Sequence, residues 1–390
     1  MNKKALKLDP QFGTKAIHGS FHYDKVTGAV MPPIYLSTTY AQKAPGEPIS
    51  KYEYSRTANP TRDILESTLA ALEGGNYCLA FSSGCAALST LLQAFPSPYH
   101  VVLSNDVYGG TMRLFSQVFS QLGITFTQCD MTKPEQIIKA ITAQTRFIWL
   151  ETPSNPLLQI IDIAHVNELR KQHAPEVLLA VDNTFATPYL QNPLDLGADI
   201  VCHSTTKYIG GHSDILGGAL ILNDDALAQK LSFLQNAVGS VPSPMDCYLL
   251  LRSVKTLHVR MSAHCDNAKI IAEYLSHHPR VKKVIYPGLS HHPQHELVTK
   301  QMRDYGAMVS VVLNGNTEDV LQFLQRLQIF TLAESLGAVE SLIEHPATMT
   351  HAAIPASHRQ KIGIEDTLVR ISVGIEDPQD LIEDLEQALS

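Results

Sequence analysis

Residues 200–214 read IVCHSTTKYIGGHSD, a short apolar run followed by one lysine among hydroxyl, imidazole and glycine residues. The apolar run Ile200-Val201-Cys202 is typical of a buried β-strand. Lys207 follows this strand, and in a desolvated pocket at the strand's end the lysine can lose its proton and attack a carbonyl group. The alternative is a surface lysine in a glycine-rich loop, because short motifs also match by chance.

Similar apolar runs recur before and after this one and alternate with helical stretches. Strands are predicted at residues 77–81, 101–103, 124–129, 147–150, 178–181, 200–202 and 219–222. A helix is predicted from Thr61 to Glu73, where Gly74-Gly75 ends it. Alternation of this kind favours a mainly parallel sheet covered by helices on both faces, so the predicted fold class is α/β.

A second region of strands and helices follows a helix-rich stretch at about 223–275. Its predicted elements are strands at 281–285, 307–313 and 368–373 and a helix from about Thr317 to Leu327. A chain of 390 residues exceeds the size at which one hydrophobic core keeps growing. We therefore predict three parts, which are an extended N-terminal arm over 1–60, a large domain over 61–255 and a smaller C-terminal α/β domain over 256–390.

The bulk composition excludes several classes of partner. Thirty basic and thirty-eight acidic residues leave a formal charge of −8 without a basic cluster, so nucleic acid is not expected as a partner. The first ten residues lack the apolar core of a signal peptide, and no run of about eighteen apolar residues occurs. We expect a cytoplasmic protein without a membrane anchor.

Cysteine and histidine residues are numerous enough to raise the question of a metal site. The six cysteines form no C-x-x-C pair and are predicted to be buried free thiols in a reducing compartment. The densest group among seventeen histidines is His291-His292-Pro293-Gln294-His295. Pro293 interrupts the helix that would align such ligands, and no acid or thiol completes a familiar spacing, so no metal site is predicted.

Polar residues follow the ends of several predicted strands, where open parallel sheets bind their ligands. Ser82-Ser83-Gly84 follows strand 77–81 and opens a helix predicted to continue through Leu91. A glycine at this point lets backbone N–H groups and the positive end of the helix approach a phosphate. The alternative is a plain turn between a strand and a helix.

Asp182 ends the apolar strand 178–181, and a carboxylate at the rim of a buried sheet needs a cationic partner. A pyridinium nitrogen is such a partner, and the protonated ring is then an electron sink. The alternative is an aspartate that caps the next turn.

The glycines in Tyr108-Gly109-Gly110-Thr111 allow an aromatic side chain to lie flat over a planar ring. Tyr54 and Arg56 alternate onto one face of the arm and could bind a phosphate, or else form part of a solvated surface.

The set and order of these segments resemble the trans-sulfuration enzymes of Cys/Met metabolism, which use pyridoxal 5′-phosphate. The resemblance covers nearly the whole chain and includes Tyr54-Ser55-Arg56-x-x-Asn59-Pro60-Thr61, Ser83-Gly84, Tyr108-Gly109-Gly110-Thr111, Glu151-x-Pro153-Ser154-Asn155-Pro156, Asp182-Asn183-Thr184-Phe185, Ser204-Thr205-Thr206-Lys207-Tyr208, Ala333-Glu334-Ser335-Leu336-Gly337 and Leu368-Val369-Arg370-Ile371-Ser372-Val373-Gly374. It implies the fold of fold-type-I pyridoxal-phosphate enzymes, similar to aspartate aminotransferase.

The resemblance also implies a role for each matching residue. Lys207 would hold the cofactor and act in catalysis with Tyr108, which would also stack on the ring, and Asp182 would pair with the ring nitrogen. The implied phosphate ligands are Gly84, Cys85, Ser204 and Thr206, with Tyr54 and Arg56 from a neighbouring subunit. The implied substrate ligands are Asn155, Ser335 and Arg370 for the α-carboxylate and Glu334, Arg113 and Glu53 for the distal end. A homotetramer built as a dimer of dimers, with each site shared within a dimer, is implied as well.

The expected reaction within this family is γ-elimination of L-cystathionine to L-cysteine, 2-oxobutanoate and ammonia, with hydrogen sulfide formation from cysteine as an open side activity. Glu334 matches an acid carried by cystathionine-handling γ-enzymes, and segments 238–248 and 286–297 are more similar to the γ-lyases than to the γ-synthases. Methionine γ-lyases carry a cysteine in place of Gly110, which counts against that activity. The alternative is a γ-synthase that joins cysteine to an O-acylhomoserine. A non-catalytic scaffold protein with the same fold is the alternative from another class of function.

Cys85 departs from the Met or Leu common in relatives at this position. The departure leaves a backbone contact to phosphate possible.

Overall fold

The computed structural model describes residues 11–19, 21, 23–352 and 356–390, without the side chains of residues 357 and 358. The first ten residues of the predicted arm, on which the expectation about a signal peptide rested, lie outside the described residues. Among the residues that are described, no helix combines the length and the apolar character needed to cross a membrane.

The strands, in chain order, are β1 (Gln42–Ala44), β2 (Glu47–Pro48), β3 (Tyr77–Phe81), β4 (Tyr99–Ser104), β5 (Ile124–Cys129), β6 (Thr145–Glu151), β7 (Leu178–Asp182), β8 (Ile200–His203), β9 (Gly218–Leu222), β10 (Val281–Ile285), β11 (Met308–Leu313), β12 (Thr331–Leu332), β13 (Leu342–Glu344) and β14 (Leu368–Ser372). The helices are α1 (Phe12–His18), α2 (Pro60–Glu73), α3 (Gly84–Leu92), α4 (Gly109–Arg113), α5 (Pro134–Ala140), α6 (Ile163–His173), α7 (Thr187–Leu190), α8 (Asp225–Val238), α9 (Pro244–Val254), α10 (Leu257–Ser276), α11 (His295–Gln301), α12 (Thr317–Arg326), α13 (Ala356–Ile362) and α14 (Pro378–Leu389). A π-helical turn (Leu114–Val118) and a 3₁₀ turn (Phe119–Leu122) follow α4.

The large sheet has seven strands in the order β3-β9-β8-β7-β6-β4-β5. The five strands from β8 to β5 are parallel to their neighbours in this order, whereas β9 is antiparallel to both β3 and β8. The chain enters β9 from β8 through a loop at 204–217 that contains no helix. Without a helical crossover the chain turns straight back, which makes the pair antiparallel.

The smaller sheet has five strands in the order β10-β11-β14-β13-β12. Its pairs are antiparallel except for the short parallel pair of β12 and β13. Mixed α/β architecture with a large, mainly parallel sheet and a second, smaller sheet agrees with the predicted fold class. The domain boundaries at residues 60 and 255 stay predictions, because one continuous cluster of buried residues extends from Leu65 on α2 to Leu389 at the end of α14.

The arm is not extended throughout, which corrects the sequence-based prediction. Residues Phe12–His18 form α1, which packs against α2 and α10. Ala16 is the buried residue of this helix, and one buried position per two turns is too few to produce a clear helical period in the sequence. By contrast, α2 carries strong local signals, since the Asn59 side chain accepts N–H bonds at its start and Gly74 ends it in the left-handed region.

Candidate active site

A cavity of about 390 Å³ opens at the carboxyl edge of the large sheet, and residues from the smaller sheet complete its wall. Most of the residues predicted from the sequence line it, and they are Gly84, Cys85, Tyr108, Asn155, Asp182, Ser204, Thr206, Lys207, Glu334, Ser335 and Arg370. They come together because β3, β6, β7 and β8 all end at this edge, and because β14 presents Arg370 from the opposite side.

Lys207 lies in the turn after β8, with its amine inside the cavity. Its Nζ donates a hydrogen bond to Ser335 Oγ at 2.8 Å. Burial and the positive charge of Arg370 together lower the pKa of the Lys207 amine to about 8. A substantial fraction of the amine is therefore neutral near physiological pH and can act as a nucleophile or a base.

Asp182 ends β7 and also faces the cavity. Burial raises the pKa of its carboxyl group, while hydrogen bonds from the Thr184 hydroxyl and the Thr184 N–H, the latter at 3.0 Å, act against this rise. The Thr184 hydroxyl also accepts the backbone N–H of Ser204 at 2.8 Å, which ties the end of β7 to the turn that carries Lys207. A cation bound at this carboxyl would remove the cost of its burial.

The first turn of α3 forms a cradle for an anion. The Ser83 side chain caps the helix by accepting the Ala86 N–H at 3.0 Å, and the N–H groups of Gly84 and Cys85 are left for an anion. A Cβ at Gly84 would lie 3.0 Å from Ser204 Cβ, which explains the glycine by the close approach of the two segments.

The prediction that all six cysteines are buried is wrong for Cys85, which is exposed in this cradle. Cys78 is only partly buried.

Tyr108 stands at the mouth of the cavity, directly before α4. Burial raises the pKa of its phenol, so the hydroxyl keeps its proton at neutral pH. A Cβ at Gly110 would collide with the Tyr108 ring, and the glycine therefore allows the ring to lie against the helix. The ring is in a position to cover a planar group held between Lys207 and Asp182.

Arg370 is buried on β14 and has fixed partners on one side of its guanidinium. Nη1 donates to Asn155 Oδ1 and pairs with Glu344 Oε1, each at 2.8 Å, and Nη2 donates to the Ser335 carbonyl at 2.8 Å. Nε is buried and has no hydrogen-bond partner among the described residues. A buried donor without a partner is costly, and a carboxylate in the cavity would satisfy it together with Nη2.

Four predicted site residues do not line this cavity, namely Glu53, Tyr54, Arg56 and Arg113. Tyr54 is 43% exposed, and the Arg56 guanidinium lies 5.4 Å from its ring centroid. Arg56 Nη1 also donates to Asn236 Oδ1 at 2.9 Å. Arg113 ends α4 with an exposed side chain, although its charge reaches Tyr108 and Cys85.

Sequence reasoning missed one buried acid at this site, Glu344, and placed a second, Glu151, after a predicted strand without assigning it a role. Glu344 at the end of β13 is fully buried, pairs with Arg370 and accepts the Thr350 hydroxyl at 2.9 Å. Glu151 at the end of β6 lines the cavity. Both acids end an apolar strand, which is the signal that identified Asp182, so the same signal could have found Glu344.

No group of three or more histidine, cysteine or acidic side chains in the described part of the chain is arranged to hold a metal ion. The donor set of the cavity instead fits pyridoxal phosphate. The neutral fraction of Lys207 suits an aldehyde, Asp182 suits a pyridinium nitrogen, and the cradle at Gly84 suits a phosphate. Ser204 and Thr206 line the same cavity and could contribute hydroxyl groups to that phosphate.

Comparisons with known proteins agree with this fit. The family model described as "Cys/Met metabolism PLP-dependent enzyme" matches residues 13–390. The chain is 52% identical to a cystathionine gamma-lyase of Dictyostelium discoideum over 97% of each chain. It is 50% identical to a cystathionine beta-lyase of Coxiella burnetii over 100% of this chain and 99% of that protein.

A solved structure of a cystathionine gamma synthase from Xanthomonas oryzae pv. oryzae, in complex with aminoacrylate and cysteine, is 44% identical. It superposes with a TM-score of 0.94 and covers 98% of each chain. These relatives are named for three different activities and are 44% to 52% identical to this chain. The chain belongs to the Cys/Met metabolism PLP-dependent enzyme family, and its cofactor is pyridoxal phosphate.

Proposed function

We propose that this protein catalyses γ-elimination of L-cystathionine, releasing L-cysteine, 2-oxobutanoate and ammonia. The observation that carries the proposal is the presence of Arg370 and Glu334 in the wall of one cavity. The guanidinium is complementary to an α-carboxylate, and the carboxylate of Glu334 is complementary to a second ammonium group at the far end of the substrate. Cystathionine carries both groups.

The residues around Arg370 orient the substrate in this proposal. Nε and the remaining N–H of Nη2 bind the α-carboxylate side by side, while Asn155 and Glu344 keep the guanidinium plane fixed from the other side. Ser335 contributes its carbonyl to Arg370 and its hydroxyl to the Lys207 amine. The amine and the carboxylate site are therefore held at a constant separation.

Proton transfer is assigned to two residues. When bound, pyridoxal phosphate supplies an aldehyde for attachment of the substrate amine and a ring that accepts electrons from the α-carbon. Lys207 Nζ, mostly neutral above its pKa of about 8, takes the α-proton, returns it to the cofactor-bound substrate and, neutral again, takes a β-proton. The Tyr108 hydroxyl, which keeps its proton, donates to the departing sulfur. Asp182 remains the counter-ion of the ring nitrogen.

We also propose that a second copy of the chain completes the site. Tyr54 and Arg56 lie outside the cavity of their own chain and are exposed, which supports a role at the phosphate of the partner subunit's site. Glu53 belongs to the same segment and would accompany them, and Arg113 would reach the distal end of the substrate from α4. Two such dimers would form the expected homotetramer, with each dimer containing two shared sites.

Two other reactions are supported by particular relatives. The γ-synthase of Xanthomonas oryzae and the β-lyase of Coxiella burnetii match this chain over nearly its whole length. A γ-synthase would use the same Lys207 and Arg370 but add cysteine to an activated homoserine. A β-lyase would cleave the other carbon–sulfur bond of cystathionine.

Product analysis on the purified holoenzyme separates the three reactions. With L-cystathionine alone, γ-elimination yields cysteine and 2-oxobutanoate, whereas β-elimination yields homocysteine and pyruvate. O-Succinylhomoserine or O-acetylhomoserine with cysteine yields cystathionine only if the chain is a γ-synthase, and cysteine alone tests for sulfide release. The Lys207→Ala variant is the control and should lose both turnover and the visible absorbance of the bound cofactor. Pyruvate or net cystathionine synthesis as the main result would contradict the proposal.

A further inference from the structure

The cavity contains a second buried carboxyl group that the proposed reaction does not use. In the parallel pair of β6 and β7, Glu151 is the register partner of Asp182. Register partners on adjacent parallel strands direct their side chains to the same face of the sheet, and both of these residues line the cavity. Glu151 is only 6% exposed. Two carboxyl groups therefore lie side by side in the wall of the cavity.

Glu151 holds the segment that carries Tyr108. Its Oε2 accepts the backbone N–H of Tyr108 at 2.8 Å, and its Oε1 lies 3.2 Å from the hydroxyl of Thr111 on α4. A neutral carboxylic acid satisfies both contacts, because its carbonyl oxygen accepts the N–H and its O–H donates to the Thr111 hydroxyl. The contacts therefore require the shape of the side chain and do not require a negative charge.

Apart from its two hydrogen-bond partners, which lower the pKa of its carboxyl group, the titratable groups that face Glu151 do not favour a negative charge. They are Asp182 on β7, Asp106 after β4, Cys85 on α3 and Cys202 on β8. No Lys or Arg side chain in the described part of the chain hydrogen-bonds to Glu151. Burial and the neighbouring charge of Asp182 raise the pKa of Glu151 well above its ordinary value.

Asp182 is in a different environment. It accepts hydrogen bonds from Thr184 and faces His203, whose Nε2 lies 2.7 Å from the buried Glu73 carboxylate. The hydrogen bonds from Thr184 and the Coulombic interaction with His203 both lower the pKa of Asp182 and favour its charged form. Both acids have one N–H donor and one hydroxyl partner, so the groups that distinguish them are His203, which faces Asp182, and the acid Asp106, which faces Glu151. A single proton shared by the pair therefore settles on Glu151.

We propose that Glu151 remains protonated in the native enzyme and acts as a positioning residue, holding Tyr108 as a neutral acid and leaving the negative charge of the pair on Asp182. This inference rests on the proposed function only for the role of Tyr108. The arrangement places a full negative charge where the ring nitrogen binds and avoids a second one beside it.

Infrared difference spectroscopy on the full-length holoenzyme tests the protonation directly. The wild-type protein should show the carbonyl stretch of a protonated carboxyl group at pH 8, and Glu151→Gln should remove this band. The Asp106→Asn variant is the matched control and should retain it, because burial raises the pKa of Asp106 only to about 6. The proposal would be overturned if Glu151→Gln removed carboxylate bands from the spectrum and left the protonated-acid band unchanged.

Cofactor binding by the apoenzyme tests the positioning role separately. Glu151→Asp shortens the side chain and breaks the contact to the Tyr108 N–H, so the dissociation constant for pyridoxal phosphate should rise about tenfold, the value of one buried hydrogen bond. Glu151→Gln keeps both contacts, and the pH midpoint of the absorbance of its bound cofactor should match that of the wild type. Equal weakening of cofactor binding by both variants, or a shifted midpoint in Glu151→Gln, would contradict the proposal.

Thr111→Val is the second variant in case Glu151→Asp fails to fold. It removes the acceptor of the Glu151 proton, and the acid carbonyl stretch should move to higher frequency, whereas an ionised Glu151 would give no such band to move. None of these measurements uses cystathionine. If the chain does not cleave cystathionine, the proposed function is overturned and the protonation of Glu151 is unaffected. If the acid band is missing, the protonation of Glu151 is overturned and the proposed function is unaffected.

Discussion

The chemistry of Lys207 depends on the charges of a few residues around its amine. Burial and Arg370 lower the pKa of this amine to about 8, whereas Glu344 and Glu334 act in the opposite direction. Because only the neutral amine attacks an aldehyde, the rate of cofactor capture by the apoenzyme should rise with pH and level off above pH 8. Glu334 lines the rim of the cavity and makes no hydrogen bond to Lys207, so its charge can be changed without breaking the site.

Glu334→Gln should move this pH profile to lower pH. The substitution removes a negative charge that stabilises the protonated amine, so the midpoint should fall by about 0.3 pH unit. The measurement is the rate of the absorbance change after apoenzyme is mixed with pyridoxal phosphate at a series of pH values. Glu340→Gln, which removes an exposed charge from the same segment, is the control and should leave the midpoint unchanged. A rise in the midpoint of Glu334→Gln would show that the charge acts in the other direction.

At the scale of the elements, α10 supports the turn that carries Lys207. Arg260 on this helix is buried and donates to the carbonyl groups of Tyr208 at 2.6 Å, Ser253 at 3.0 Å and Ile209 at 3.3 Å. These carbonyls lie in irregular backbone or at the end of α9, where a strand or helix cannot satisfy them. One guanidinium therefore fixes the Lys207 turn to both α9 and α10.

Arg260→Leu should destabilise the apoenzyme by about 3 kcal/mol, because it leaves the carbonyl groups of Tyr208 and Ile209 without this donor, whereas the Ser253 carbonyl still accepts the Thr256 N–H at 3.1 Å. The measurement is urea unfolding followed by circular dichroism. The matched control is Arg303→Leu, since Arg303 is exposed and lies 4.9 Å from the ring centroid of Tyr189, a contact that contributes about 1 kcal/mol or less. If both variants lost the same stability, the three carbonyl contacts would not be the reason.

At the scale of the whole molecule, the active site requires contributions from distant parts of the chain. The large sheet positions Lys207 and Asp182, and the smaller sheet positions Arg370. In the proposed dimer, Arg56 of the partner subunit adds a phosphate ligand that the cavity of a single chain lacks. Assembly and catalysis would then depend on each other.

Mixing two inactive variants should restore activity if the site is shared. In a hybrid dimer of Lys207→Ala and Arg56→Ala chains, the site that contains Lys207 receives the intact Arg56 from the partner subunit. Random exchange of equal amounts makes half of the dimers hybrid, with one intact site each, so about a quarter of the wild-type activity should return. Turnover before and after verified subunit exchange is the measurement. No recovery would place Arg56 in its own chain's site or outside catalysis.

The sequence by itself determined which residues can carry the chemistry and which strand each follows. Strand 77–81 and strand 124–129 were predicted with their observed bounds, and Asp182 and Lys207 were identified by their places after apolar runs. These signals are local, because a buried strand needs consecutive apolar residues and a helix end needs its cap. The short helix α1 was missed because tertiary contacts, and not a strong local period, stabilise it.

Only the tertiary structure decided which of these residues meet. Asn155 and Arg370 are hydrogen-bonded although they lie far apart in the chain, and Glu151 stands beside Asp182 because of strand register. The structure also separated Tyr54 and Arg56 from the cavity of their own chain. The physical reason is that burial, charge pairing and register are properties of surfaces that touch, and contacts between distant segments exist only once the sheets are formed and packed.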